Sequence, residues 1–352
     1  MGLKILHSAD WHLDSPFRSF SPTQRAYLKA EQGKVPFKVA EICRREGCDL
    51  MLLSGDLFDG TCSKNTVEAV KAALESCGVP IFISPGNHDF CAPHSPWLTE
   101  TWPENVHVFT GGMTSVVIPE LDCRVYGAGY QSMDCPGLLE HFRAEGKETY
   151  CLCVLHGDPV QLQSPYCPVT AAQVRDSGLD YLALGHIHKG GSFRSGSTYC
   201  AWPGSPMGRG MDETGEKGVL VAEIGHGVST RLVPLDTPRF YDMTVDSGED
   251  ALAALADKLP AVGNLDFYRI TLTGSGEGEP GELLGKFPYM TLRDCRDFAG
   301  DLWASAGEDT LEGVFFSLLR ERLENADEET AKQIRLAAKI SRKLLEGREV
   351  EL

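Results

Sequence analysis

Long apolar runs are missing from the 352-residue sequence. None approaches the roughly 20 residues that a helix needs to cross a bilayer, which excludes a helical membrane protein. Basic residues are in short supply: 33 Lys and Arg stand against 50 Asp and Glu, for a formal net charge of −17. Phosphate contacts need local positive charge, so a chain this acidic is a poor generic nucleic-acid binder. Any phosphate-bearing substrate must be held by something other than the overall field. None of the 12 cysteines forms a C-x-x-C pair. Cys151 and Cys153 would share one face of a strand, and the others are scattered as reduced core thiols are. Neither a disulfide framework nor a cysteine zinc site is expected. There is no internal repeat, and low complexity is confined to residues 274–281. The opening MGLKILHSAD has no cleavable leader pattern, from which a cytoplasmic location is expected.

What is present is an ordinary globular composition, 42% hydrophobic and 24% charged, on a chain long enough for an enzyme-sized core and a smaller second unit. Leu3 to Ala9, Leu50 to Ser54, Val79 to Ser84, Arg124 to Ala128, Tyr150 to Leu155 and Tyr181 to Leu184 are short apolar runs bounded by Gly, Pro or polar residues, the pattern of buried strands. Helix-like segments over 22–46 and 65–77 lie between the first three, giving a βαβαβ opening. Strand-like stretches at Thr198 to Trp202, Lys217 to Ile224 and Thr230 to Leu235 point to a mixed sheet or two sheets packed face to face between helices.

Pro234-Leu235-Asp236-Thr237-Pro238 reads as a boundary. It divides the chain into an expected principal domain, 1–237, and a compact β-α-β unit, 238–302. Two helices follow within 303–352, broken near Asn325-Ala326-Asp327. On the first of them Leu311, Val314, Phe315, Leu318, Leu319 and Leu323 mark one apolar face, which either packs on the chain's own core or docks a partner.

The strand ends carry the chemistry. The first runs into Asp10-Trp11-His12, the second into Gly55-Asp56, and the third into Gly86-Asn87-His88-Asp89. Two later ones run into His156-Gly157-Asp158 and Gly185-His186-Ile187-His188. In α/β proteins the carboxyl ends of neighbouring strands meet at one crevice, so side chains distant in sequence converge there. Singly, each Asp reads as a turn or cap residue and each His as a hydrogen-bonded structural residue. Together, in this order, they form a specific pattern.

That pattern resembles the calcineurin-like metallophosphoesterase superfamily, and LHSADWHLD, GDLFD and LGHIH are similar to its SbcD and YhaO branch of DNA-repair exonucleases. The resemblance is strong over residues 3–235 and weaker beyond. It implies a four-layer α/β/β/α sandwich with a small α+β capping domain and C-terminal helices. It implies that Asp10, His12 and His188 hold one divalent metal, that Asn87, His156 and His186 hold another, and that Asp56 bridges them. Carboxylate, amide and imidazole donors without thiolate suit manganese first, with iron or zinc as alternatives. Two divalent cations outweigh the charges of Asp10 and Asp56, leaving a locally cationic centre in an acidic chain. His88 would protonate the leaving oxygen, and Asp89 would hold its ring in orientation. Gly204 and Ser205, within Trp202-Pro203-Gly204-Ser205-Pro206, would shape the substrate wall.

The implied partners are DNA, an SbcC/YhaN-like coiled-coil ATPase on the terminal helices, and a second copy of the chain packed near residues 65–77 and 96–101. Asp59 stands where eukaryotic and archaeal relatives often carry a histidine, a departure shared with the bacterial branch. The rival readings are a nucleotide or small-molecule phosphodiesterase or phosphatase on the same metal core, and a non-catalytic scaffold. All seven ligand positions are occupied, which disfavours the scaffold.

Overall fold

The computed structural model describes residues 2–345 and 347, apart from 277, 279, 281, 282, 284 and 297–300. Part of the low-complexity stretch, at 277, 279 and 281, and positions 297–300 of the expected capping segment therefore lie outside the described residues. Backbone contacts divide the chain into two compact units, Met1–Arg239 and Phe240–Leu352, with no division at 302.

The first unit opens with β1 (Leu3–Ser8), α1 (Pro22–Gln32), α2 (Val35–Glu46), β2 (Leu50–Leu53), α3 (Lys64–Glu75) and β3 (Ile81–Ile83). The expected single helix over 22–46 is two. Pro36 lies in the first turn of α2, and within a continuous helix its ring would clash with the carbonyl four residues back. Ser21 caps α1 with a reciprocal bond to Gln24, and Ser63 caps α3, satisfying N–H groups that a helix start leaves unpaired. The chain continues through α4 (Pro96–Thr99), β4 (Val106–Val108), β5 (Thr114–Ile118), β6 (Cys123–Gly127), β7 (Tyr150–His156), α5 (Ala171–Asp176) and β8 (Tyr181–Gly185). It then passes through β9 (Lys189–Ser195), β10 (Thr198–Gly204), β11 (Gly218–Ile224) and β12 (Val228–Pro234).

These strands make two six-stranded sheets, ordered β12-β11-β1-β2-β3-β4 and β5-β6-β7-β8-β10-β9. Ile5, Leu52 and Phe82 of the first pack against Val125, Leu152, Val154 and Ala183 of the second. The alternate residues Leu6, Leu53, Cys153 and Leu182 are buried on the outer faces. Being covered on both sides is why these strands are continuous apolar runs rather than alternating ones. Helices with buried apolar sides complete the expected α/β/β/α order. Three strands escaped the sequence reading. β4 and β5 are short and half-exposed, and β9, KGGSFRS, has a composition that disfavours strands. Antiparallel pairing with β10 holds β9 in place. β1, β2 and β3 are mutually parallel, as are β7 and β8, so within each sheet the functional strand ends lie at one edge.

The second unit holds β13 (Phe240–Asp246), α6 (Ala251–Lys258), β14 (Phe267–Thr273) and β15 (Met290–Asp294). The three strands form a parallel sheet in that order. Val245, Leu255, Ile270, Leu272 and Phe287 form its core. β15 was not foreseen. The helices α7 (Leu311–Glu324) and α8 (Glu328–Leu345) follow. α7 buries Phe316, over whose ring the Arg342 guanidinium sits at 4.1 Å. Leu311, Val314, Phe315 and Leu318 on the same helix are exposed, Leu311 to 91%. Among the described residues no helix is long and apolar enough to cross a membrane.

Candidate metal centre

The loops after β1 and β2 stay paired beyond the strands. Asp10 N–H donates to the Gly55 carbonyl at 3.0 Å, His12 N–H to the Asp56 carbonyl at 2.9 Å, and Asp59 N–H to the Leu13 carbonyl at 2.9 Å. Asp10, His12, Asp56 and His186 have left-handed backbones, with φ of 55°, 45°, 52° and 93°. Such values are strained for residues with a Cβ and persist where surrounding structure over-determines them. The glycines explain themselves by space. A Cβ on Gly86 would lie 2.3 Å from Asp56 Oδ1 and 2.8 Å from His156 Nδ1.

The strand ends converge. His12 Nε2 and His188 Nε2 are 3.1 Å apart. Asn87 Oδ1 lies 2.9 Å from His156 Nε2 and 3.3 Å from His186 Nδ1. Asp56 Oδ2 sits between the two groups, 3.7 Å from His12 Nε2 and 3.4 Å from His156 Nε2. Donor atoms of Asp10, His12 and His188 lie within 4.8 Å of one another, as do those of Asp10, Asp56 and His156, and of His12, Asp56 and His88. Thus all seven expected ligands come together. Ligands on one cation with bonds of about 2.1 Å stand about 3 Å apart, and these spacings fit that requirement.

The outer hydrogen bonds set the tautomers. His156 Nδ1 donates to the Ser54 carbonyl at 2.9 Å, and His188 Nδ1 to Glu213 Oε1 at 2.9 Å. Each leaves an Nε2 lone pair turned inward. Burial lowers the pKa of His12 and His186, keeping both imidazoles neutral as metal ligands must be. Asp10, on the first sheet's edge, accepts the His186 N–H from the second at 3.0 Å. His7, just upstream, is no ligand: it is buried between the sheets, bonded to Tyr181 Oη and Ser54 Oγ at 2.9 Å each, and burial lowers its pKa to about 3.

Two expectations need correction. Asp89 does not hold His88. Its carboxylate accepts the backbone N–H groups of Gly86 at 2.7 Å and Leu57 at 2.8 Å, with Asp56 and Phe58 each at 3.3 Å. Burial and the neighbouring Asp56 charge push its carboxyl up to about 7. Asp89 therefore ties the third loop to the second. His88 Nδ1 is 2.9 Å from Asp59 Oδ1 instead, and that contact raises the His88 pKa. The His88 side chain is 41% exposed, at the rim of the buried centre. Ser205 and Gly204 are not an open wall either. Ser205 is buried and gives its hydroxyl to Glu213 Oε2 at 3.0 Å, while a Cβ on Gly204 would strike the His188 carbonyl at 2.5 Å. Both support His188 from behind.

Glu213 and Arg209 were missed, and Asp158, read as part of a strand-end cluster, was given no role. Glu213 follows β10 in an irregular segment, DETGEK, which looks like any polar turn; only the fold brings it to His188. Arg209 bonds Glu213 through both its backbone N and Nε, at 3.2 Å each. Asp158, only 2% exposed, lies 3.9 Å from His186 Nε2.

Residues 3–190 match the model of the calcineurin-like phosphoesterase family. Over 252 residues the chain is 31% identical to the uncharacterized metallophosphoesterase YhaO of Bacillus subtilis, a match covering 64% of this chain and 58% of that protein. The chain thus spans little more than half the length of that relative. It is 22% identical over 271 residues to the SbcD component of the nuclease SbcCD of Bacillus subtilis, covering 64% of this chain and 67% of that one. It is also 22% identical over 284 residues to the SbcD component from Staphylococcus saprophyticus, covering 71% and 73%.

Proposed function

The chain belongs to the calcineurin-like phosphoesterase family, and from that premise we propose that it is a two-metal phosphodiester hydrolase, a DNA exonuclease or endonuclease component acting in DNA repair. The observation that carries this reading is the convergence of seven donor side chains from five strand ends. Asp10, His12 and His188 hold one cation, Asn87, His156 and His186 the other, and Asp56 lies between. The metal is manganese in the first instance. Bound there, the two cations would neutralise phosphoryl charge and acidify a nucleophilic water. His88, with Nδ1 tied to Asp59, keeps Nε2 to donate a proton to the leaving oxygen.

DNA as substrate is supported by the kinship with the SbcD nuclease components. A coiled-coil ATPase partner of the SbcC/YhaN kind is supported by those same relatives and by the exposed apolar residues of α7. On this reading 238–302 caps the hydrolase domain, 303–352 docks the ATPase, and the chain works as a cytoplasmic homodimer that compensates for its acidic surface with two sites. Nothing in the site favours the phosphatase reading over this one.

The manganese-loaded protein should degrade linear DNA in preference to a panel of nucleotides and small phosphodiesters. Preference for the nucleotides would shift the assignment to the smaller substrates. A purified protein that takes up no divalent metal would remove both.

A further inference from the structure

We propose that the cavity sharing His88 with the metal centre is the subsite for the leaving nucleotide, so that this centre acts on a polynucleotide chain rather than on a mononucleotide ester. This rests on the phosphodiesterase reading above and adds the extent of its substrate. The cavity, of about 370 Å³, is enclosed by the end of the second loop, the start of α3, the loop after β3 and α4. That size lies within the roughly 300–1,000 Å³ of ligand sites. His88 is part of its wall, and none of the seven metal donors is. The His88 ring also meets the His12 ring edge-on, with centroids 4.7 Å apart, so one imidazole borders both the centre and the cavity. The oxygen that such a proton donor serves belongs to the leaving group. The rest of that group then has the cavity beside it.

The lining suits a nucleoside followed by a phosphate. Val67, Phe90 and Pro96 give the cavity an apolar side, with Val67 buried in α3 and Phe90 half-buried against the outer face of the second sheet. Two carboxyl groups reach the wall, and both are already answered. Asp89 accepts four backbone N–H groups, and Glu100 accepts from Lys71 Nζ at 2.8 Å. Lys64 and His94 are not. Both are exposed on the wall, and neither side chain makes a hydrogen bond or ion pair among the described residues. In a chain of net charge −17, the cavity thus keeps an uncompensated cation and an imidazole as donors for the phosphate that follows the leaving nucleoside. A mononucleotide ester has neither a second nucleoside nor a second phosphate to place there.

The test uses the manganese-loaded full chain as parent, Ala92→Phe and Lys64→Met. Its substrates are trithymidylate and the methyl esters of thymidine 3′- and 5′-monophosphate, which release methanol in place of a nucleotide. The parent should cleave trithymidylate with a kcat/KM about 100-fold or more above that of either ester, because binding away from the reacting atoms is used in the transition state. Ala92 also lines the cavity, and a phenyl group there takes up its space. Ala92→Phe should lower the kcat/KM ratio of trithymidylate to ester by about 10- to 100-fold, the scale of burying one apolar group. Lys64→Met should lower the same ratio by about 2- to 5-fold, and by less as salt rises. Lys64 is exposed, so its variant folds whether or not the phenyl group is accommodated. Equal losses on all three substrates in both variants, or no loss in either, overturn the proposal. It is equally overturned if Ala92→Phe splits a dimer, read by light scattering, because the cavity then belongs to a contact between copies. A parent that cleaves the esters as well as trithymidylate removes the subsite and leaves the phosphodiesterase reading standing. A parent that takes up manganese and cleaves none of the three brings down both.

Discussion

The metal centre and the helix α7 break the ordinary rule of burial in opposite directions. At the strand ends Asp10, His12, Asp56 and His156 are almost wholly buried, although charged and polar side chains usually stay at the surface. On α7, Leu311, Val314, Phe315 and Leu318 stand in solvent although large apolar side chains usually do not cluster there. Each inversion is unfavourable for the isolated chain: cations relieve the first, and on the reading proposed above an apolar partner surface relieves the second. The difference lies in how firmly the two are specified. The centre is cross-tied by backbone bonds between its loops, and its donors have few alternatives. The α7 face is one side of a helix and specifies only an area.

The largest expected effect separates the two regions. Asp56→Asn should abolish manganese uptake and lower phosphodiester turnover by about 10³-fold or more. Manganese should raise the melting temperature of the parent but not of this variant, because a ligand stabilises only the fold that binds it. Equal thermal shifts in both would show that Asp56 does not hold the cations. Next, His88→Asn should keep its metal and lose about 10²- to 10⁴-fold in turnover, the usual range for a proton donor. A fully metallated variant with parental turnover would strike His88 from the mechanism.

Smaller is the effect of Asp59→Asn, read in the metal-free protein by the nuclear magnetic resonance titration of His88. The parental His88 titrates above its ordinary value because of Asp59. Its pairing therefore stabilises the fold fully below the ordinary histidine pKa, and that contribution is lost as pH rises through the raised one. Asp59→Asn should move the titration downward. An unmoved His88, with Asp89→Asn moving it instead, would restore Asp89 as the partner of the ring. Smallest, Leu318→Glu should change the stability of the chain by no more than about 0.5 kcal/mol, as exposed substitutions do, while weakening capture of a coiled-coil ATPase. A large drop in melting temperature would mean that this face packs on its own chain, and the contrast with the metal centre would disappear.

Much of the fold was legible because its central strands are buried on both faces, so Leu3 to Ser8, Leu50 to Leu53 and Tyr150 to His156 stand out as apolar runs. The edges were not. β9 owes its strand conformation to pairing with β10 rather than to its own residues. The converging donor residues were legible because each follows an apolar run, often with a glycine to admit close approach. Their supports were not. The sequence pointed to the adjacent Asp89 as the partner of His88, and only the path of the second loop puts Asp59 on the ring and turns Asp89 to four backbone N–H groups.

By itself, the order of residues determined which side chains could meet, because a parallel strand must end where its neighbours end and a polar cluster there has one crevice to enter. Tertiary structure alone decided which of them touch. Glu213, Arg209 and Ser205 gather behind His188 from a segment without periodicity, through hydrogen bonds a few ångströms long whose partners lie as many as 25 residues apart. Bonds of that range depend on where loops are pinned, and no local pattern of residues encodes that.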